Sequence, residues 1–232
     1  MKRIMLKLSG EALGDKSGRG IDASTTISIC DQVKEIVASG KEVAVVIGGG
    51  NIFRGVSGEK AGYDRVSGDF MGMLATIMNA VAMQNIFEDN GLKSMVMTPF
   101  RLEEYVELFN VKKALDFMKN GGVVICAGGT GRPFFTTDTA AALRSAELGI
   151  DLLIKATKVN GVYDSDPEIN KNAKLFSEIE YKDILKDGLK VMDTAAIAIC
   201  MDNSIPIRVL NIFEKGNILK LVNGQQIGTL IK

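Results

Sequence analysis

Val123-Val124-Ile125-Cys126-Ala127-Gly128-Gly129-Thr130-Gly131-Arg132-Pro133-Phe134-Phe135-Thr136-Thr137-Asp138 is the stretch on which the fold turns. Five apolar residues, then a loop of glycine and threonine, then helical spacing over residues 139–148 spell strand, turn and helix. That order brings backbone N–H groups at a helix start onto an anion such as a phosphate. Phe134 and Phe135 add flat surface on which a base can rest. The expected ligand is anionic and of nucleotide size.

The same unit recurs along the chain. Apolar, β-branched runs at residues 4–8, 43–47, 94–97, 123–127, 152–154 and 207–210 read as strands. Helical spacing appears over residues 29–37, 71–87, 111–118, 140–148 and 192–201. Such alternation predicts an α/β fold, a three-layer αβα sandwich around a mostly parallel sheet. No long linker or internal repeat divides the chain, so one domain over residues 1–232 with two functional halves is expected. The more polar segment 164–189 reads as a peripheral lobe. Met71, Met73, Met78 and Met83 lie at helical spacing and are expected to pack a core or a subunit interface.

Composition removes several classes of chemistry. Lys plus Arg (28) equals Asp plus Glu (28), which argues against bulk nucleic-acid binding or attachment to an anionic membrane. An anion site must then be local. The absence of histidine rules out a Ser-His-Asp triad, a Cys-His dyad and His-based zinc sites. Cys30, Cys126 and Cys200 stand far apart in apolar contexts and read as buried thiols in a reducing, cytoplasmic setting. No stretch is expected to cross a membrane.

Glycine and small polar residues gather after four of the expected strands: Lys7-Leu8-Ser9-Gly10, Gly48-Gly49-Gly50-Asn51, the loop quoted first, and Thr157-Lys158-Val159-Asn160-Gly161-Val162-Tyr163. In open α/β sheets ligands bind beyond the carboxyl ends of strands, so the four should converge on a phosphate-rich ligand. The Walker-type P-loop, the dinucleotide G-x-G-x-x-G fingerprint and the protein-kinase motif set are all missing. Lys7 has two readings, a solvent-facing or edge-strand lysine, or an ammonium bridging a transferred phosphoryl group. Three glycines followed by Arg54 suit a close backbone approach to an oxyanion gripped by a guanidinium. Asp69 and Asp138 stand near helix starts, where each reads either as an N-cap or as a working carboxylate, Asp138 by holding Lys7. Asp166 belongs to an Asp-Pro turn or, with Tyr163, frames a base and ribose.

These segments, with Asp69-Phe70-Met71-Gly72-Met73-Leu74-Ala75-Thr76 and Val191-Met192-Asp193, resemble the motif series of the bacterial uridylate kinases, a branch of the amino acid kinase superfamily. The match is collinear over nearly the whole chain. The resemblance implies transfer of the ATP γ-phosphoryl group to UMP, with Mg²⁺ on the nucleotide, in pyrimidine nucleotide biosynthesis. It assigns catalysis to Lys7, Arg54 and Asp138. ATP would contact Lys7, Leu8, Ser9, Gly10, Gly50, Arg54, Thr157, Tyr163 and Asp166. UMP would contact Gly49, Asp69, Thr130, Gly131, Arg132, Pro133, Phe134, Phe135, Thr136 and Thr137. The N-terminal half would thus bind mainly UMP and the C-terminal half mainly ATP, with no metal held by the protein itself. A homohexamer built as a trimer of dimers, with GTP and UTP as effectors, is also implied. Arg132 stands where many members carry Asn, and residues 14–20 occupy the segment linked to GTP activation in some. Another amino acid kinase acting on a carboxylate, and a nucleotide sensor without turnover, are the rival readings.

Overall fold

A computed structural model describes residues 1–53, 62–102, 104–165, 167, 169–189 and 191–232. Arg54 and Asp166 lie outside the described residues. The six expected strands all form: β1 (Arg3–Leu8), β2 (Glu42–Ile47), β3 (Ser94–Thr98), β5 (Val123–Cys126), β6 (Leu152–Thr157) and β8 (Ile207–Asn211). Three short ones join them, β4 (Glu107–Leu108), β7 (Glu178–Ile179) and β9 (Thr229–Ile231). Their order is β4-β3-β5-β2-β1-β6-β8-β9-β7, and every pairing is parallel except β8 with β9. The outcome is the predicted α/β architecture.

Period-two alternation along each strand decides what faces which layer. Ile4, Leu6 and Leu8 of β1, with Val43, Val45 and Ile47 of β2, enter one core with helices α1 (Ala23–Ala38), α2 (Arg65–Asp89) and α7 (Asn217–Val222). Met5, Ala44, Val46 and Leu153 face the other, covered by α3 (Val111–Lys119), α4 (Thr137–Leu148), α5 (Tyr181–Asp187) and α6 (Thr194–Asp202). Burial on both faces explains why these strands read as continuous apolar runs rather than alternating ones. Cys30, Cys126 and Cys200 are buried free thiols, and burial pushes them up, to about 11, 12 and 12.

Three expectations change. Segment 164–189 forms no separate lobe: β7 extends the sheet beside β9, and Ile179, Tyr181 and Ile184 enter the second core. Helix α2 begins six residues before the expected start at Met71, capped by Asp64, whose side chain accepts from the Ser67 N–H at 3.0 Å. Asp69 is therefore inside the helix and is no cap. Among the described residues α2 is also long and apolar enough to cross a membrane by length and composition, against expectation. Its Ile77, Ala80, Met83 and Phe87 are packed into the first core, which accounts for the apolar content. Met83 is buried there and Met73 is buried beside the glycine loops, whereas Met78 is 57% exposed.

Candidate active site

The carboxyl ends of β1, β2, β5 and β6 come level, since Leu8 pairs with Ile47 and Ala156, and Val46 with Cys126. The four glycine-bearing loops follow from these ends, as the alternation predicted. Lys7 is the penultimate residue of β1, in register with Lys155 of β6. Both point to the α4 side of the sheet, the face of Met5 and Leu153. Asp138, in the first turn of α4, receives both: Lys7 Nζ is 2.6 Å from Oδ1 and Lys155 Nζ is 2.7 Å from Oδ2. Lys155 also donates to the Val191 carbonyl. Lys7 is only 7% exposed on a central strand, so the solvent-facing and edge readings fall away. The cap of α4 is Thr136, whose hydroxyl accepts from the Asp138 N–H at 3.0 Å. Asp138 is thus free of capping duty and holds the two lysines.

Two ammonium groups share one buried carboxylate, and the protonation equilibria reflect it. Burial works against ionised Asp138, yet Lys7 and Lys155 outweigh it and hold its carboxyl below the usual range. For Lys155, burial is the largest influence and lowers its pKa; Asp138 opposes this, and nearby Lys7 lowers it further. The two directions have different causes, the paired ammonium groups for Asp138 and burial for Lys155, and these three side chains together carry one excess positive charge. Such an excess is what an incoming phosphate would neutralise.

On the α2 side of this cluster lies a cavity of about 140 Å³ lined in part by Gly49, Asp69, Thr130, Arg132, Phe135 and Thr136, with Thr137 also at its wall. Helix α2 holds the loop that forms it. Asp69 Oδ2 accepts the Phe134 N–H at 2.7 Å, and the Thr76 hydroxyl accepts the Gly128 N–H at 2.7 Å. Asp193, which caps α6, accepts from the Thr136 and Thr139 hydroxyls. Gly49 packs so closely on α2 that a Cβ there would lie 2.8 Å from the Gly72 carbonyl. Gly131 and Pro133 shape the loop without lining the cavity, Gly131 with φ of +76° against Pro99. Phe134 also has a left-handed backbone, φ 71°, and its exposed ring lies 5.4 Å from the Arg65 guanidinium.

On the β6 side a larger cavity of about 530 Å³ is lined by Lys155, Thr157, Val162, Tyr163, Pro167 and Val209, among others. The Thr157 hydroxyl donates to the Val159 carbonyl at 2.7 Å, folding the strand-end turn back on itself. Leu8 turns its side chain into the first core, so its polar contribution is the carbonyl that accepts from Gly48 N–H at 2.9 Å. Ser9 and Gly10 open a short 3₁₀ turn beside the Gly48 loop, where Gly50 lines an adjoining cavity with Ser17 and Arg19. A further cavity, lined by Tyr181, Pro206 and Lys232, lies at the opposite end of the sheet and holds none of these residues. Among the described residues no cluster of three His, Cys, Asp or Glu side chains is placed to bind a metal.

A lysine pair on a shared aspartate, between two cavities rimmed by glycine loops, is a phosphoryl-handling arrangement. The amino acid kinase family model matches residues 2–211. The chain belongs to the amino acid kinase family. Among solved structures, a UMP kinase from Bacillus anthracis is 37% identical with a TM-score of 0.96, the match covering 100% of this chain and 96% of that one. A UMP kinase from Ureaplasma parvum follows at 33% and 0.93, covering 100% and 98%, and a uridylate kinase from Archaeoglobus fulgidus at 27% and 0.74, covering 100% of both. Lys155, Asp193, Thr76 and Thr139 are polar residues of the site that the sequence reading did not assign. For Lys155 a signal existed: like Lys7, it interrupts an apolar strand just before a glycine-bearing loop.

Proposed function

We propose that this chain is an ATP-dependent UMP kinase, moving the γ-phosphoryl group of ATP onto UMP to give UDP and ADP. The observation that carries the reading is the Lys7–Asp138–Lys155 cluster between the two cavities. The cavity with Asp69 and the Thr130–Thr137 loop residues would take UMP, and the one with Thr157 and Tyr163 would take the ATP base and ribose. In this reading residues 1–232 act as one domain, the N-terminal half mainly for UMP and the C-terminal half mainly for ATP. Arg54 and Asp166 keep their assignments to the phosphates and to the ATP ribose.

A UMP phosphate oxygen attacks the γ-phosphorus in line, and the bond to the β,γ-bridging oxygen breaks with its electron pair leaving on ADP. A phosphate monoester is largely ionised near neutral pH, so no side-chain base is needed. Lys7 and Lys155 offset the charge that gathers on the transferred group. Asp138 orients both ammonium groups; with each oxygen so engaged, Mg²⁺ is best written as part of the MgATP substrate.

The outer face of α2 exposes Val66, Phe70, Leu74, Met78 and Val81, which supports burial against a second copy and fits a homohexamer built from dimers. GTP and UTP as effectors, a cytoplasmic location and a place in pyrimidine nucleotide biosynthesis complete the reading. A coupled assay offering ATP with UMP, CMP, dUMP, aspartate or acetylglutamate tests it. ADP release with UMP and not with the carboxylates is expected; turnover of a carboxylate, or nucleotide binding without ADP release, overturns it.

A further inference from the structure

Beneath the glycine loop sits a closed amide pair whose inner member, Asn79, is wholly buried, while Asn51 reaches the wall of the cavity it shares with Gly50. Asn79, on the inner face of α2, is 0% exposed, and Asn51, just after β2, is 7% exposed. Each donates to the other: Asn79 Nδ2 to Asn51 Oδ1 at 2.7 Å, and Asn51 Nδ2 to Asn79 Oδ1 at 2.9 Å. The second hydrogen of each amide is also spent. Asn79 donates to the Gly48 carbonyl at 2.7 Å, and Asn51 to the Gly20 carbonyl at 2.6 Å. Both outer partners can only accept, which fixes the orientation of the two amides. Gly20 N–H returns a bond to the Asn51 carbonyl at 3.2 Å.

The pair joins four pieces of chain: α2, the Gly48-Gly49-Gly50 loop, the end of the 14–20 segment and, by contact, the loop after β1. A Cβ on Gly10 would stand 2.4 Å from Asn51 Oδ1 and 2.6 Å from the Gly50 nitrogen. Ser9-Gly10 and Gly48-Gly49-Gly50 are therefore packed backbone on backbone, with the spacing between them set by the amide that lies against Gly10. We propose that Asn79 and Asn51 are positioning residues that fix the glycine loop of β2 against that of β1. The register of the two loops' N–H groups on the phosphates then depends on a helix side chain that touches no substrate. This rests on the phosphoryl-transfer reading above. It adds that the pair acts as one unit and acts on the phosphates, not on the base pocket.

Asn79→Ala, Asn51→Ala and the double variant, compared with wild type, test the proposal. The readings are kcat at saturating ATP and UMP, and dissociation constants for ATP and for adenosine by calorimetry. Each single variant is expected to lose roughly 10-fold or more in kcat, the scale of a small misplacement of reacting groups. ATP should bind more weakly and adenosine as before. The double variant should be no worse than the weaker single one, because either change already opens the unit. Folded variants with kcat within twofold of wild type, adenosine binding lost in step with ATP, or losses that multiply in the double variant each overturn it. Should Asn79→Ala fail to fold, Asn51→Ala alone carries the kcat and binding test, since Asn51 lies in the loop. A wild-type protein that turns over no UMP sinks the functional reading only; the ATP-against-adenosine comparison still judges the pair.

Discussion

The lysine cluster and the loop of residues 128–137 lie side by side and are built in opposite ways. Lys7 and Lys155 stand on adjacent central strands, and Asp138 on the first turn of a helix packed over them. Each is buried or nearly so. The loop is half-buried or exposed at every position after Gly128, turns on glycines with positive φ, and is held by single hydrogen bonds that Asp69, Thr76 and Asp193 accept. A charge that must sit within a few tenths of an ångström of a transferred group belongs on a scaffold that cannot move. A surface that must admit and release a base belongs on one that can. The difference predicts that damage to the cluster appears in kcat and damage to the loop in KM.

Lys7→Met puts the heaviest load on that division. The side chain keeps its length and loses its charge, so the fold should survive. Turnover should drop by ~10²-fold or more, the scale for removing one preorganised electrostatic donor. Steady-state kinetics on the purified variant, with its thermal melt as control, decide this. Near-normal kcat would remove Lys7 from the chemistry and leave the cluster as a structural ion pair.

Lys155 sharpens the same point through pH. Its pKa is lowered, chiefly by burial, from an ordinary lysine value of about 10.4. The protonated form is the one that assists transfer, so activity should fail as pH rises through the lowered value, before an exposed lysine would titrate. Lys155→Arg carries a guanidinium that stays charged. Its residual activity should therefore show an alkaline limb displaced to higher pH. An identical limb in both proteins would mean that another group controls it.

How much of this was legible in the sequence follows the same physical divide. Strands buried on both faces are long apolar runs; five of the six were read to within one residue at either end, and β6 was read three residues short at its carboxyl end. The short strands β4, β7 and β9 have two or three residues each, too few for a period to show, and pair only because the sheet is already there. Lys7 and Asp138 were legible, and of the two readings of Asp138 the one that holds Lys7 is what forms, whereas nothing local announced that Lys155 shares the same carboxylate. Lys155 was missed because the apolar run appeared to end at Ile154, whereas β6 continues to Thr157. The Asn51–Asn79 pair is equally non-local, joining a loop to a helix through three hydrogen bonds, and to Gly20 through a fourth, that no periodicity announces.

Phe134→Gly probes the loop, where the expected effect is smallest and of a different kind. A non-glycine residue at φ 71° carries a backbone cost on the order of 1 kcal/mol, which glycine would relieve. Against that, the unfolded chain gains freedom at roughly 0.5–1 kcal/mol, and the exposed contact with Arg65 is lost at about the same scale. The two losses together match or slightly outweigh the relief, so the melting temperature should fall by a few degrees at most. The Phe134 N–H remains available to Asp69, so the loop keeps its tether. What disappears is an aromatic face that is 65% exposed near the smaller cavity and touched by Arg65. If that face stacks on the uracil, KM for UMP should rise about 10-fold, the scale of one base–aromatic stack, while kcat stays within a factor of two or three. A fall in kcat matching that of Lys7→Met would show that loop and cluster are one rigid unit, and the division drawn between them would not stand.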